Sequence, residues 1–200
     1  MSSPNPTSAE TGTVPANSAS SESDHRTEAQ KAVDEMARLM TWDRFPAGDR
    51  SALRRARPGD LGSPAFWKLA LEHLEPPGLL PESEGPYRDE QERRWVRIVA
   101  DLAELGNLHS PKVPLGRALA AADAGEARVL RLLRAEGDPL LRLCRTVTHR
   151  LATQGKPVNA RDLAELVLSD GHERWAAQVR RRIARDYYRA SASKSDSSSS

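Results

Sequence analysis

Apolar residues return every three or four positions along most of the chain, and nowhere do they alternate as a strand on a sheet would require. A first helix is predicted over 28–43, with Ala32, Met36, Leu39 and Met40 on one face. A short one follows at 49–57, holding Leu53 and the pair Arg54-Arg55. Ser63-Pro64 predicts a helix start, because Ser can cap and Pro suits the first turn, where no amide hydrogen is needed. That helix carries Phe66, Trp67, Leu69, Leu71 and Leu74. Residues 76–87, with Pro76, Pro77, Pro81 and Pro86, read as a loop.

The segment 88–105 has the clearest pattern. Trp95, Ile98, Val99, Leu102 and Leu105 form one apolar stripe, with Arg93, Arg94, Arg97, Asp101 and Glu104 off it, and Gly106 ends it. Beyond Pro111 and Pro114 come LGRALAAAD, then Gly125 and EARVLRLLRAEG. Asp138-Pro139 predicts a helix to about 153 by the same cap-and-proline logic, and Asn159 caps a short helix with Leu163, Leu166 and Val167. In the last helix, 172–189, Trp175, Val179, Ile183 and Tyr187 recur every four residues. The expectation is an all-α protein of about nine helices in two packed groups, meeting near the loop at 76–87 within one domain, 27–190.

Composition bounds this picture at the ends. Residues 1–26 are Ser-, Pro- and Thr-rich and residues 191–200 read SASKSDSSSS, so both are expected to be disordered tails with too little apolar surface to offset the entropy of ordering. The N-terminal stretch lacks the basic start and apolar run of a secretory signal, and no run is long enough for a membrane span. A single cysteine, Cys144, leaves no internal disulfide and no cysteine zinc site. A cytoplasmic protein without metal or cofactor is expected.

The net charge of +2 conceals an uneven distribution. Residues 118–189 hold 14 Lys and Arg against 9 Asp and Glu, and 25 of the 30 basic residues are Arg, the side chain best matched to phosphate. Arg128, Arg131 and Arg134 step by three and share one side of a helix, with Val129, Leu132 and Leu133 turned away. Arg142, Arg145 and His149 repeat the pattern in the next helix, and Arg181, Arg185 and Arg189 step by four in the last. Arg54 and Arg55 form a pair, and Lys112 and Arg117 flank a proline loop. The set predicts a polyanion track that grips backbone without reading sequence. Arg54, Arg55, Lys112, Arg117, Arg128, Arg131, Arg134, Arg142, Arg145 and Arg181 are its candidate residues. Tyr188 is the best candidate for base stacking.

Catalytic patterns are thin. The five histidines are scattered. His172-Glu173 begins like a zinc-protease helix, but Ala176 stands where the second histidine belongs. No Walker loop, dinucleotide glycine pattern or nucleophile elbow occurs. The alternatives to a nucleic-acid-holding protein are a helix-turn-helix regulator reading DNA through 159–189, and a hydrolase built on His172 and Glu173. Trp175, Ala176 and Ala177 argue against the regulator, since they suit packing rather than base reading.

GDRSALRRARPGDLGSPAFWKL at 48–69, a Trp-bearing helix, PKVPLGRALA at 111–120, EARVLRLLRA at 126–135 and a closing ARDYY at 184–188 come in an order that resembles the CasB family, the small subunits of type I-E CRISPR Cascade surveillance complexes. The resemblance covers about 30–190. It implies an all-helical, non-nuclease subunit present in two copies, lying along the guide-RNA backbone subunits. It further implies contacts with the large subunit, the target DNA and, as a further candidate, the CRISPR RNA, and a part in holding the R-loop during antiviral defence. By resemblance Arg54 and Arg55 are the family's RRA arginines, Arg117 that of L-G-R-A-L, and Arg128, Arg134 and Arg145 basic positions of the next two helices. Arg174, Arg180 and Arg181 match its C-terminal helix.

Overall fold

The computed structural model describes residues 17–41, 45–57 and 63–198. Among these the chain forms nine α-helices and no strand: α1 (Asn17–Thr41), α2 (Ala47–Arg55), α3 (Pro64–Leu69), α4 (Pro86–Leu105), α5 (Leu115–Ala121), α6 (Glu126–Arg134), α7 (Gly137–Thr153), α8 (Ala160–Leu168) and α9 (Glu173–Ser198). A π-helical turn, Ala70–Leu74, prolongs α3, and a 3-10 turn, Gly106–Leu108, follows α4.

The architecture follows from α4. The predicted stripe Trp95, Ile98, Val99, Leu102 and Leu105 is buried, but so is most of the opposite face. Arg94, Arg97 and Asp101, expected on a solvated side, are 9%, 2% and 3% exposed. The reason is position: α1, α2, α7 and α8 all pack on α4, so that from Gln91 to Leu105 only Arg93 and Glu104 escape full burial. Its charges are neutralised locally, Arg97 to Asp101 at 2.8 Å, Arg94 to Glu90 at 3.0 Å and Arg88 to Glu92 at 2.7 Å, as buried ions must be. The N-terminal helices and α5–α9 thus share one continuous core through α4.

Helix boundaries differ from expectation where side chains far along the chain intervene. α1 starts at Asn17 and α9 runs to Ser198, so residues 17–26 and 191–198, read as tails, are helical; residues 1–16 and 42–44, with the predicted last residues of the first helix, lie outside the described set. Arg26 pins the start of α1 to Glu165, and Lys194 holds the end of α9 to the Ala120 carbonyl at 2.9 Å and to Asp123 at 2.7 Å. Pro86, read as loop, is the first residue of α4, a place that proline fits. Neither expected cap beside a proline forms. Ser63 Oγ makes no capping bond, and Asp138 lies inside α7, whose Gly137 amide donates to Asp170 instead. Asn159 does cap α8, accepting from the Arg161 amide. Leu71, counted with the apolar face of its helix, is 60% exposed, because the π turn carries Ala70 and Leu74 inward and leaves it outside.

The L-G-R-A-L stretch has a packing role. α5 lies directly on α9, and a Cβ on Gly116 would stand 2.2 Å from the Ile183 carbonyl oxygen and 2.6 Å from the Tyr187 amide. Only glycine allows that approach. Tyr187, buried, donates its hydroxyl to the Ala124 carbonyl at 2.7 Å and so fixes the turn between α5 and α6.

Candidate nucleic-acid interface

α6 and α7 each divide their residues between core and surface with helical spacing. Val129, Leu132 and Leu133 of α6 are buried, as are Leu140, Leu141 and Cys144 of α7. The outer residues face one another across a groove of about 790 Å³. Leu130, Arg131 and Arg134 line it from α6, and Pro139, Arg142 and Leu143 from α7. Its floor is apolar and its rim carries three arginines. All three are exposed, and none has an ion-pair or hydrogen-bond partner for its guanidinium among the described residues.

The second concavity begins where the first ends. Arg142 is shared with a pocket of about 320 Å³ that is also lined by Arg57, Arg93, Arg97, Asp138 and Arg145. α4 and α7 run in the same direction, since Arg93 pairs with Asp138 at 2.5 Å and Glu104 with His149 at 2.8 Å, both at a sequence offset of 45. The arginines of α4 and α7 are therefore brought side by side, and the end of α2 brings Arg57 beside them. Asp101, behind Arg97, is buried; burial raises its carboxyl above the ordinary range, and the Arg97 charge opposes this without cancelling it.

The candidate residues thus separate into groups. Arg131, Arg134, Arg142 and Arg145 meet on one surface formed by α6, α7 and α4. Arg54 and Arg55 line neither concavity: Arg54 Nε donates to the Ala103 carbonyl at 2.9 Å with Glu104 at 3.9 Å, and Arg55 donates to Ser51 Oγ at 2.7 Å. Arg128 is exposed on α6 but lines neither concavity, and neither do Lys112 and Arg117 beside and on α5. Arg181 turns back on its own helix, donating to the Ala177 carbonyl. Tyr188 donates to Glu126 at 2.8 Å and takes no part in the groove.

Sequence reasoning misses Arg57 and Arg93. Arg57 ends the run RRAR, in which only the adjacent pair stands out, and Arg93 falls on the polar side of α4 with no neighbour in view. Neither contact is visible before α2 and α7 are placed on α4.

The opposite seam uses arginine differently. Glu165 of α8 accepts from Arg26 at 3.1 and 3.3 Å, from Gln30 at 2.5 Å and from Arg182 at 2.5 Å. Burial acts to raise its carboxyl, but these donors outweigh it and hold Glu165 below the usual range. Arg161 forms a two-pronged pair with Asp34 of α1, and His109 stands 3.3 Å from the same carboxylate. Arg182 also reaches Asp162, whose carboxyl burial pushes up. Arg26 lies over the Trp175 ring at 5.8 Å, so Trp175 of α9, the reader in the regulator alternative, is engaged with α1, while Glu173 and Arg174 beside it are exposed. His172 is exposed beside Trp175, with ring centres 5.8 Å apart. Among the described residues no group of three or more His, Cys, Asp or Glu is placed to hold a metal, and no helix is long and apolar enough to cross a membrane.

Comparison with known proteins gives a consistent outcome. The family model of CRISPR-associated protein Cse2 matches residues 49–188. No curated protein matches the sequence. Among solved structures, a chain of E. coli Cascade bound to a PAM-containing double-stranded DNA target is 22% identical, with a TM-score of 0.56 over 80% of this chain and 95% of that one. CasB from Thermobifida fusca is 18% identical, with a TM-score of 0.59 over 82% of this chain and 97% of that one.

Proposed function

We propose, for a chain that belongs to the CRISPR-associated Cse2 family, that it serves as a non-catalytic subunit of a type I-E Cascade surveillance complex and holds nucleic-acid backbone on its α4–α6–α7 face. One observation carries this reading: Arg131, Arg134, Arg142 and Arg145 converge on two adjoining concavities while forming no ion pair among the described residues. Arginines that join helices here find acceptors within the fold, as Arg26 and Arg182 do at Glu165 and Arg150 does at the Ala122 carbonyl. Guanidinium groups left unpaired on a concave surface are matched to phosphate, which they bind without regard to base sequence.

The role in the complex follows from energetics. Replacing a DNA duplex by a guide–target hybrid is close to balanced, so a few backbone contacts suffice to favour the opened state. A basic face beside the target or displaced strand would supply them, stabilising the R-loop without chemistry. The partners of this reading are the large subunit, the guide-RNA backbone subunits, a second copy of the chain and the target DNA, and the related E. coli chain was solved in a Cascade bound to double-stranded DNA.

The test is reconstitution with guide RNA and the remaining Cascade subunits. Replacing Arg131, Arg134, Arg142 and Arg145 by Ala is expected to leave incorporation intact and to shorten the lifetime of the R-loop at least tenfold, equally for unrelated target sequences. Unchanged lifetime with full incorporation contradicts the reading, and failure of the native chain to enter the complex removes its premise.

A further inference from the structure

The pocket at the junction of α2, α4 and α7 differs from the open groove beside it. Five arginines (Arg57, Arg93, Arg97, Arg142 and Arg145) surround it, with one carboxylate, Asp138, at its edge. Its volume of about 320 Å³ is at the lower end for small-ligand sites. Arg97 is 2% exposed, and its Nε is buried without an acceptor; the Nε of Arg93 is buried and unpartnered as well. Buried donors normally find acceptors, and both of these belong to side chains that line the pocket.

The two ion pairs at this pocket are unequal. Arg97 and Asp101 have side chains 2% and 5% exposed and form part of the core. Arg93 and Asp138 are 35% and 56% exposed, so water competes for both partners and the pair exchanges readily. Asp138 therefore lies where an incoming anion would lie, presenting a carboxylate to Arg93.

We propose that this pocket is a discrete phosphate site, with Arg97 at its base, and that Asp138 is a built-in competitor at its mouth. When a phosphate group enters, Arg93 exchanges the Asp138 carboxylate for a phosphate oxygen, and Arg57, Arg142 and Arg145 close on the others. The proposal rests on the nucleic-acid reading only for the source of the phosphate: one phosphodiester of a bound strand, or a free polyphosphate. The competitor weakens the site, so that a single phosphate is held but not trapped.

The experiment titrates the full chain at low salt with inorganic pyrophosphate and, separately, with a single-stranded DNA oligonucleotide. Asp138→Asn keeps the shape of the side chain and removes its charge. It is expected to tighten pyrophosphate about three- to fivefold, the scale of an exposed charge pair. Arg57→Ala/Arg145→Ala, at two exposed positions outside the core, is expected to weaken pyrophosphate at least tenfold. If pyrophosphate also displaces the oligonucleotide and Asp138→Asn tightens both, the phosphate is that of the strand. If pyrophosphate responds to both variants and the oligonucleotide to neither, the pocket stands as a free-polyphosphate site, and a bound strand lies outside it, along the groove of α6 and α7. If the oligonucleotide binds while pyrophosphate does not, or Asp138→Asn changes neither affinity, the pocket proposal is overturned and the nucleic-acid reading survives it.

Discussion

On one side of the molecule, where α1, α8 and α9 meet, Arg26, Arg161 and Arg182 each close on a carboxylate. On the other, where α4, α6 and α7 meet, Arg131, Arg134, Arg142 and Arg145 form no ion pair among the described residues. The residue type is the same and its distribution along the sequence is similar. What separates the two sides is whether the fold supplies a carboxylate, and for two of the three seam arginines that is decided by helices more than a hundred residues apart: Arg161 lies 127 positions from Asp34 and Arg26 lies 139 from Glu165, while Arg182 reaches Glu165 from 17 positions away. Arginine at the first seam joins helices, and arginine at the second is available to a ligand.

The largest effect that can break this contrast is expected at Glu165. Glu165→Ala leaves Arg26, Gln30 and Arg182 without their shared acceptor and is expected to lower stability by about 2 kcal/mol, reduced from the cost at a fully buried pair because both arginines keep contact with water. Urea unfolding measures it; a midpoint within error of the native chain would show that the seam is not structural. Arg131→Ala/Arg134→Ala is the counterpart. Surface substitutions of this kind are expected to change stability by less than about 0.5 kcal/mol. The same double variant should weaken single-strand binding roughly tenfold at low salt, from two exposed charge contacts of about 0.7 kcal/mol each. A destabilisation matching that of Glu165→Ala would erase the difference between the two sides.

Acid should separate them as well. Glu165 and Asp34 are each pulled up by burial but held below their ordinary values by their arginine partners, so their contribution is present above the unfolded carboxylate range and is lost as pH falls through the folded values. Asp162, raised by burial, acts in the opposite sense, so the acid loss comes from the other two. Unfolding midpoints are therefore expected to fall below about pH 4, and to fall less in Glu165→Gln. The smallest effect is expected for Arg54→Ala/Arg55→Ala. Both guanidiniums are already engaged, at Ala103 and at Ser51, so their removal should weaken single-strand binding less than about threefold, each contact being weak and exposed. A reduction exceeding that of the Arg131 and Arg134 pair would move the interface toward α2.

The helices are largely legible in the sequence, because three- and four-residue periodicity needs no knowledge of neighbours. Which faces are wet is less so. α4 has an amphipathic pattern, yet Arg94, Arg97 and Asp101 are buried, since an ion pair at spacing four lets a charged face enter the core. The ends mislead for a related reason: serine-rich sequence continues α9 past 190, and Lys194 finds its partners 71 and 74 residues away. In the site, the stripes of α6 and α7 are readable and their meeting at Arg142 is not. Gly116 explains why L-G-R-A-L forms a recognisable unit even though Arg117 lines neither concavity: the glycine sets the distance between α5 and α9.

The central claim, that unpaired arginines on the α4–α6–α7 face hold phosphate, is tested most directly by the salt dependence of single-stranded DNA binding. The affinity of the native chain and of the Arg131, Arg134, Arg142 and Arg145 to Ala variant is measured across a range of salt concentrations, with a plot of log affinity against log salt for each. Every phosphate that the protein no longer neutralises makes the slope shallower by about 0.7. With four arginines removed, the slope of the variant is expected to be shallower by roughly two to three. Parallel lines, with the two proteins releasing the same number of counterions, would contradict the account.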